Sequence, residues 1–267
     1  MRDGAPRSEA RRHGRRRALA CAAALVATAA IVLLSGCEPK GGSPPPPPAG
    51  AIAPGTSIGT ASIAGRVVLT GPVPERQKLK ISEAGCHHEG APAEAFSEAV
   101  VAAPDGALKN AIVHVVSGLG ERVFAPPAEA VLDQKGFLYA PHVIAVQANQ
   151  VVTFLNSDPT LHNVHAVSKL NPPFNVGMAV KGQKVSRFFG KPEMVKMKCD
   201  VHSWMASYIG VFDNPFHAVT DDAGRFTVQG LPAGTYDVEA WHETYGVKKQ
   251  SVTLADGQHQ DVEFSFP

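Results

Sequence analysis

Long helical patterns, internal repeats and nucleotide-binding signatures are missing from this chain of 267 residues. No glycine-rich phosphate loop follows a strand pattern, which argues against a nucleotide-dependent enzyme. There is no nucleophile elbow, no zinc-hydrolase helix and no Cys-x-x-Cys-His haem attachment, so three common chemistries lose their markers. Charge is scarce, at 18% of residues with a formal net charge of +1, and seven of the basic residues are arginines packed between Arg2 and Arg17. Beyond residue 36 the balance is acidic, 18 basic against 22 acidic residues, so no nucleic-acid surface is expected. Cysteine is limited to Cys21, Cys37, Cys86 and Cys199. The 44% hydrophobic content excludes a wholly disordered chain, and 25 glycines with 22 prolines point to short strands and many turns.

The N-terminus reads as an address. Ala18 to Leu34 is almost purely apolar after the arginines, and Leu34-Ser35-Gly36-Cys37 follows. A charged start, an apolar middle and small exit residues describe a secretory signal over 1–36. A transmembrane helix is the competing reading, since about 20 apolar residues span a bilayer. Leu-Ser-Gly-Cys resembles the bacterial lipoprotein box, which implies that Cys37 becomes the acylated first residue and that the membrane is a partner through this lipid anchor. Glu38 resembles the sorting context of outer-membrane lipoproteins. The expected location is therefore the periplasm or cell envelope, lipid-anchored to the outer membrane and facing the periplasm. Consecutive arginines leave twin-arginine export open beside the general route. Residues 37–60, with Pro44 to Pro48, are expected to form a disordered Pro-rich tether.

From Ser62 onward, apolar residues alternate over short windows bounded by Gly, Pro, Asn and Asp. Val67 to Leu69, Ala111 to Val116, Val143 to Val146, Val151 to Leu155 and Tyr236 to Trp241 all fit strands, and only Pro127 to Leu132 is expected to be briefly helical. The fold class is all-β, with two sandwiches as the economical architecture. Thr220 to Phe226, then Val228-Gln229-Gly230-Leu231-Pro232-Ala233-Gly234-Thr235-Tyr236, writes a turn, a strand, a second turn and a second strand. This stretch resembles the carboxypeptidase regulatory-like (transthyretin-like) sandwich. The resemblance implies that residues 61–125 supply its first strands and 215–267 its last, around a separate domain over 126–214; consecutive domains are the alternative.

The chemistry concentrates in that middle. Val151 to Asn156 reads as a strand, followed by a Ser157-Asp158-Pro159-Thr160 turn and then Leu161-His162-Asn163-Val164-His165. Val195 to Cys199 reads as another strand, opening into Cys199-Asp200-Val201-His202-Ser203-Trp204-Met205. Cys199 at a strand end, with His202 and Met205 on the following turn and His162 from a neighbouring strand, can converge on one point. One thiolate, two imidazoles and a long axial thioether form the trigonal set of a blue-copper electron-transfer site. Alternation sends His165 to the other face from His162, so it is placed behind the ligands. No aspartate or glutamate has a clear place beside the four, and Asp200 is expected to face solvent.

These motifs, in this order, resemble the cupredoxins, with the short Cys-x-x-His-x-x-Met loop of the amicyanin/plastocyanin-like group. The resemblance spans roughly residues 130–213 and implies a Greek-key sandwich holding one type 1 copper. It makes His162, Cys199, His202 and Met205 the ligands. Asn163 would tie the ligand loops together and set the hydrogen bonds of the thiolate. Trp204 and the turn around His202 would form an apolar patch where a partner docks and electrons leave.

The expected function is a membrane-tethered copper protein passing single electrons between exported redox partners, a carrier rather than a catalyst. Copper handling without electron transfer is the alternative, and Met178, Met194, Met197 and Cys86-His87-His88 are its candidate extra ligands. An envelope carbohydrate- or protein-binding module is a third reading. A Cys86–Cys199 disulfide is the default for an oxidising compartment, but it would consume the thiolate that copper needs.

Overall fold

The computed structural model describes residues 42–81 and 94–267. The expected signal, the acylated Cys37 and Cys86-His87-His88 lie outside the described residues. Among the described residues there is no helix; sixteen strands form four sheets.

The outer sandwich is assembled from the two ends of the chain. In its first sheet, β1 (Ala61–Leu69) lies between β13 (Arg225–Leu231), antiparallel to it, and β16 (His259–Phe266), parallel to it. The second sheet orders β12 (His217–Val219), β2 (Ile112–Ser117), β14 (Gly234–His242) and β15 (Gly246–Leu254). Alternation explains which side chains meet. Phe226 and Val228 turn inward while Arg225, Thr227 and Gln229 face solvent, and Tyr236, Val238 and Ala240 meet them from β14. Ile63, Phe264 and Phe266 complete a core from which water is excluded.

The inner sandwich is inserted between β2 and β12. One sheet orders β5 (Val143–Gln147), β11 (Ala206–Phe212), β10 (Glu193–Lys198), β7 (His162–Val167) and β8 (Phe174–Met178). The other orders β4 (Leu138–Ala140), β3 (Ala130–Lys135), β6 (Val151–Asn156) and β9 (Lys184–Phe188). Leu132, Phe154, Val164, Val195, Met197 and Ile209 fill the space between them.

Two expectations are corrected here. Pro127 to Leu132 contains no helix: β3 starts at Ala130 and pairs in parallel with β6, Ala130 opposite Val152. A strand buries Leu132 completely and leaves Val131 exposed, which suits one apolar face better than a helical turn would. The expected free tether also ends early. Ile52 hydrogen-bonds Val123 and Ala125 of the outer sandwich, and Ile52 and Ile58 pack against its core, because two isoleucines gain more buried than in water.

The two sandwiches share a third apolar layer of Ile112, Val143 and Phe212, flanked by Trp241, Tyr208 and Met194. Histidines line it. His114 and His217 both lie against the Phe212 ring, and His142 hydrogen-bonds Glu243. Burial pushes His217 down to about 4, helped by the nearby His114, and burial pushes His242 down to about 4 as well. Both values lie below the ordinary 6.5, so on acidification the unfolded chain takes these protons first. The stability is whole above about pH 6.5 and is lost towards pH 4, by about 3 kcal/mol per group. Denaturant melts across this window should show that fall, and His217→Phe should remove one group's share; equal slopes for the two proteins would contradict it.

Candidate metal centre

His162 opens β7, directly opposite Met178 at the end of β8. Cys199 follows the last residue of β10, and Met205 precedes the first residue of β11. Between them the loop folds tightly. The Cys199 amide donates to the Met205 carbonyl at 3.1 Å, and the Met205 amide donates to the His202 carbonyl at 2.9 Å. Two antiparallel strands thus clamp both ends of a seven-residue loop.

The loop carries its donors inward. The facing Nδ1 atoms of His162 and His202 are 2.9 Å apart, and Cys199 Sγ lies 3.7 Å from His202 Nδ1. One donor atom from each of the three residues falls within 4.8 Å of the others, and this is the one such His/Cys/Asp/Glu group among the described residues. All three side chains are buried, as is Met205. Donors bound about 2.0–2.3 Å from one ion lie about 3–4 Å from each other, so these separations fit a shared metal. A soft thiolate with two imidazoles suits copper in either oxidation state.

Electrostatics ease the loss of the thiol proton. Burial raises the Cys199 pKa, but the His162 ring and the backbone N–H groups of Asn163, His202 and Val201 outweigh it and hold the thiol below its ordinary value. The His202 amide is 3.4 Å from Sγ. Burial likewise opposes charge on His162, yet its hydrogen bonds to Asp158 and then Cys199 leave it above the usual histidine value.

Behind the donors, Asn163 accepts the Asp200 amide at 2.6 Å and donates to Asn175 and to the Asp200 carboxylate, joining β7 to the loop. His165 faces away from the cluster and lies 2.8 Å from Asp200 Oδ2. Asp200 is partly exposed, and Lys198 first, then His165, holds its carboxyl well below the usual range. The Trp204 indole N–H donates to the Phe137 carbonyl at 3.1 Å, and its ring centroid is 5.2 Å from that of His202. Met178 and Met197 are buried in the inner core, whereas Met194 sits in the layer between the sandwiches, so the three do not gather around one point.

Sequence reasoning missed three contributors. The expectation that no carboxylate stands beside the donors is corrected by Asp158, which is buried with Oδ2 3.0 Å from His162 Nε2. Phe137 is fully buried and places its ring 5.7 Å from His162 and 5.2 Å from His202, edge to face. The Tyr139 hydroxyl lies 3.1 Å from the carbonyls of both Asn163 and Lys198, each next to a donor residue. Burial raises its pKa, so it stays a neutral donor tying β7 to β10. Only the Ser157-Asp158-Pro159-Thr160 turn signal pointed near any of these.

Residues 211–267 match the carboxypeptidase regulatory-like domain. Among solved structures, an amicyanin from Paracoccus versutus is 20% identical over 37% of this chain and 96% of its own, with a TM-score of 0.29. A purple cupredoxin from Nitrosopumilus maritimus is 19% identical over 31% of this chain and 98% of its own, TM-score 0.28. A copper-containing nitrite reductase from Thermus scotoductus SA-01 is 21% identical over 38% of this chain, TM-score 0.31, and this chain spans only 25% of that enzyme. No curated protein matches.

Proposed function

We propose that this chain is a type 1 copper protein that carries single electrons between exported partners, with His162, Cys199, His202 and Met205 holding one copper. The buried juxtaposition of one thiol and two imidazoles carries the reading. Copper bound there supplies a one-electron couple. The strands supply rigidity: β10 and β11 fix the loop, β7 fixes His162, and neither oxidation state would require the donors to move. Phe137 excludes water from both rings, and Met205 offers a fourth donor in place of an open coordination position.

Leu161 and Val201, each next to a proposed ligand, are exposed, and with the half-buried Trp204 they offer an apolar surface over His202 for a redox partner. In this reading Cys37 carries the lipid anchor, and the protein works in the periplasm at the outer membrane. Titration with Cu(II), followed by voltammetry, tests the assignment. One tightly held copper with a reversible one-electron couple is expected. Several tightly held coppers without such a couple would favour copper handling instead.

A further inference from the structure

Asp158 is a buried carboxylate that the four-ligand account leaves unused. Its Oδ1 accepts the Gly136 amide at 2.8 Å; its Oδ2 accepts the Phe137 amide at 2.9 Å and faces His162 Nε2 at 3.0 Å. Gly136 and Phe137 form the turn between β3 and β4, and both lie in the left-handed region, at φ 63° and 61°. That conformation is unfavourable for a phenylalanine, and the surroundings must hold it there. Two successive N–H groups in such a turn make a concavity that suits an anion. The carboxylate therefore locks the turn that carries Phe137 against both imidazoles. Asp158 is itself fixed, since its own amide donates to Asn156 Oδ1 at 2.9 Å.

We infer that Asp158 is a positioning residue that fixes the His162 tautomer and biases the proposed centre towards the oxidised ion. A carboxylate can only accept, so His162 carries a proton on Nε2 whether or not Nδ1 is also protonated, and Nδ1, which faces Cys199 and His202, is the nitrogen left for an ion to take. An anionic acceptor on the far nitrogen also makes the ring a stronger donor, and the more highly charged ion gains more from that. This inference rests on the copper reading for its redox half only. The tautomer half concerns the metal-free chain.

The test has two arms. In the metal-free wild-type protein, nitrogen NMR of the histidine rings is expected to show His162 protonated at Nε2 with a slowly exchanging proton. A ring protonated at Nδ1 alone, with no proton on Nε2, would overturn the inference. In the second arm, Asp158→Asn keeps the size and removes the charge. Chelator competition should show Cu(II) affinity falling about 10–100-fold while Cu(I) affinity falls less. Each tenfold difference between the two raises the reduction potential by about 59 mV. Equal losses for both ions, with an unchanged potential, would mean a merely structural role. If Asp158→Asn does not fold, the wild-type tautomer decides alone. A wild-type protein that takes no copper refutes the proposed function and leaves the tautomer result standing.

Discussion

Cys199→Ser is expected to give a folded, colourless protein in place of a blue one. The intense visible band of a copper–thiolate pair is a charge transfer from sulfur, and a serine hydroxyl is neither deprotonated near neutral pH nor soft. Folding should survive, because the change removes one polarisable atom from a loop closed by backbone hydrogen bonds at Cys199 and Met205. A serine oxygen can also accept the His202 amide that Sγ now accepts. Absorption after Cu(II) loading, read beside a thermal melt, separates the outcomes. Complete loss of the band with a melting temperature within a few degrees is expected. A band that persists would place the chromophore elsewhere.

Gly65→Ala is expected to be the most damaging single methyl in the outer sandwich. Gly65 lies mid-way along β1, between Val262 of β16 and Phe226 of β13. Its φ of 155° falls where side chains are rarely accommodated, and an added Cβ would sit 1.7 Å from the Val262 carbonyl oxygen. That oxygen is backbone in a paired strand, so relief requires the first and last strands to separate. A loss above about 4 kcal/mol is expected, the range reserved for such mechanisms. For a chain of this size it lowers the melting temperature by about 8–16 °C. The inner sandwich has its own core of Leu132, Phe154 and Ile209, so copper colour should outlast the far-UV signal of the outer strands on heating. An unchanged melt would contradict this packing.

The parts of the site that were legible in the sequence are local ones. Cys199 and His202 sit on one loop, where a spacing of three fixes their separation, and the strand signals either side of it are strong. The strand alternation of Phe226-x-Val228 and Tyr236-x-Val238 was equally readable. Asp158 was not, because its role depends on a turn 21 residues upstream whose left-handed Phe137 leaves no composition signal. Tyr139 was hidden likewise, since it bridges two strands that are adjacent only in space. Pairings such as Ile63 with Gln260 leave no mark in any window, so the split of the outer sandwich around its insert could only be an expectation. The short helix expected at Pro127 to Leu132 failed because pairing with β6 outweighs local preference.

The central claim is that Cys199 sulfur shares one metal ion with two imidazoles. Electron paramagnetic resonance of the purified protein loaded with one equivalent of Cu(II) tests it most directly. Delocalisation of the unpaired spin onto the thiolate predicts an unusually narrow copper hyperfine splitting. A wide splitting, as given by copper bound through nitrogen and oxygen alone, would contradict the account.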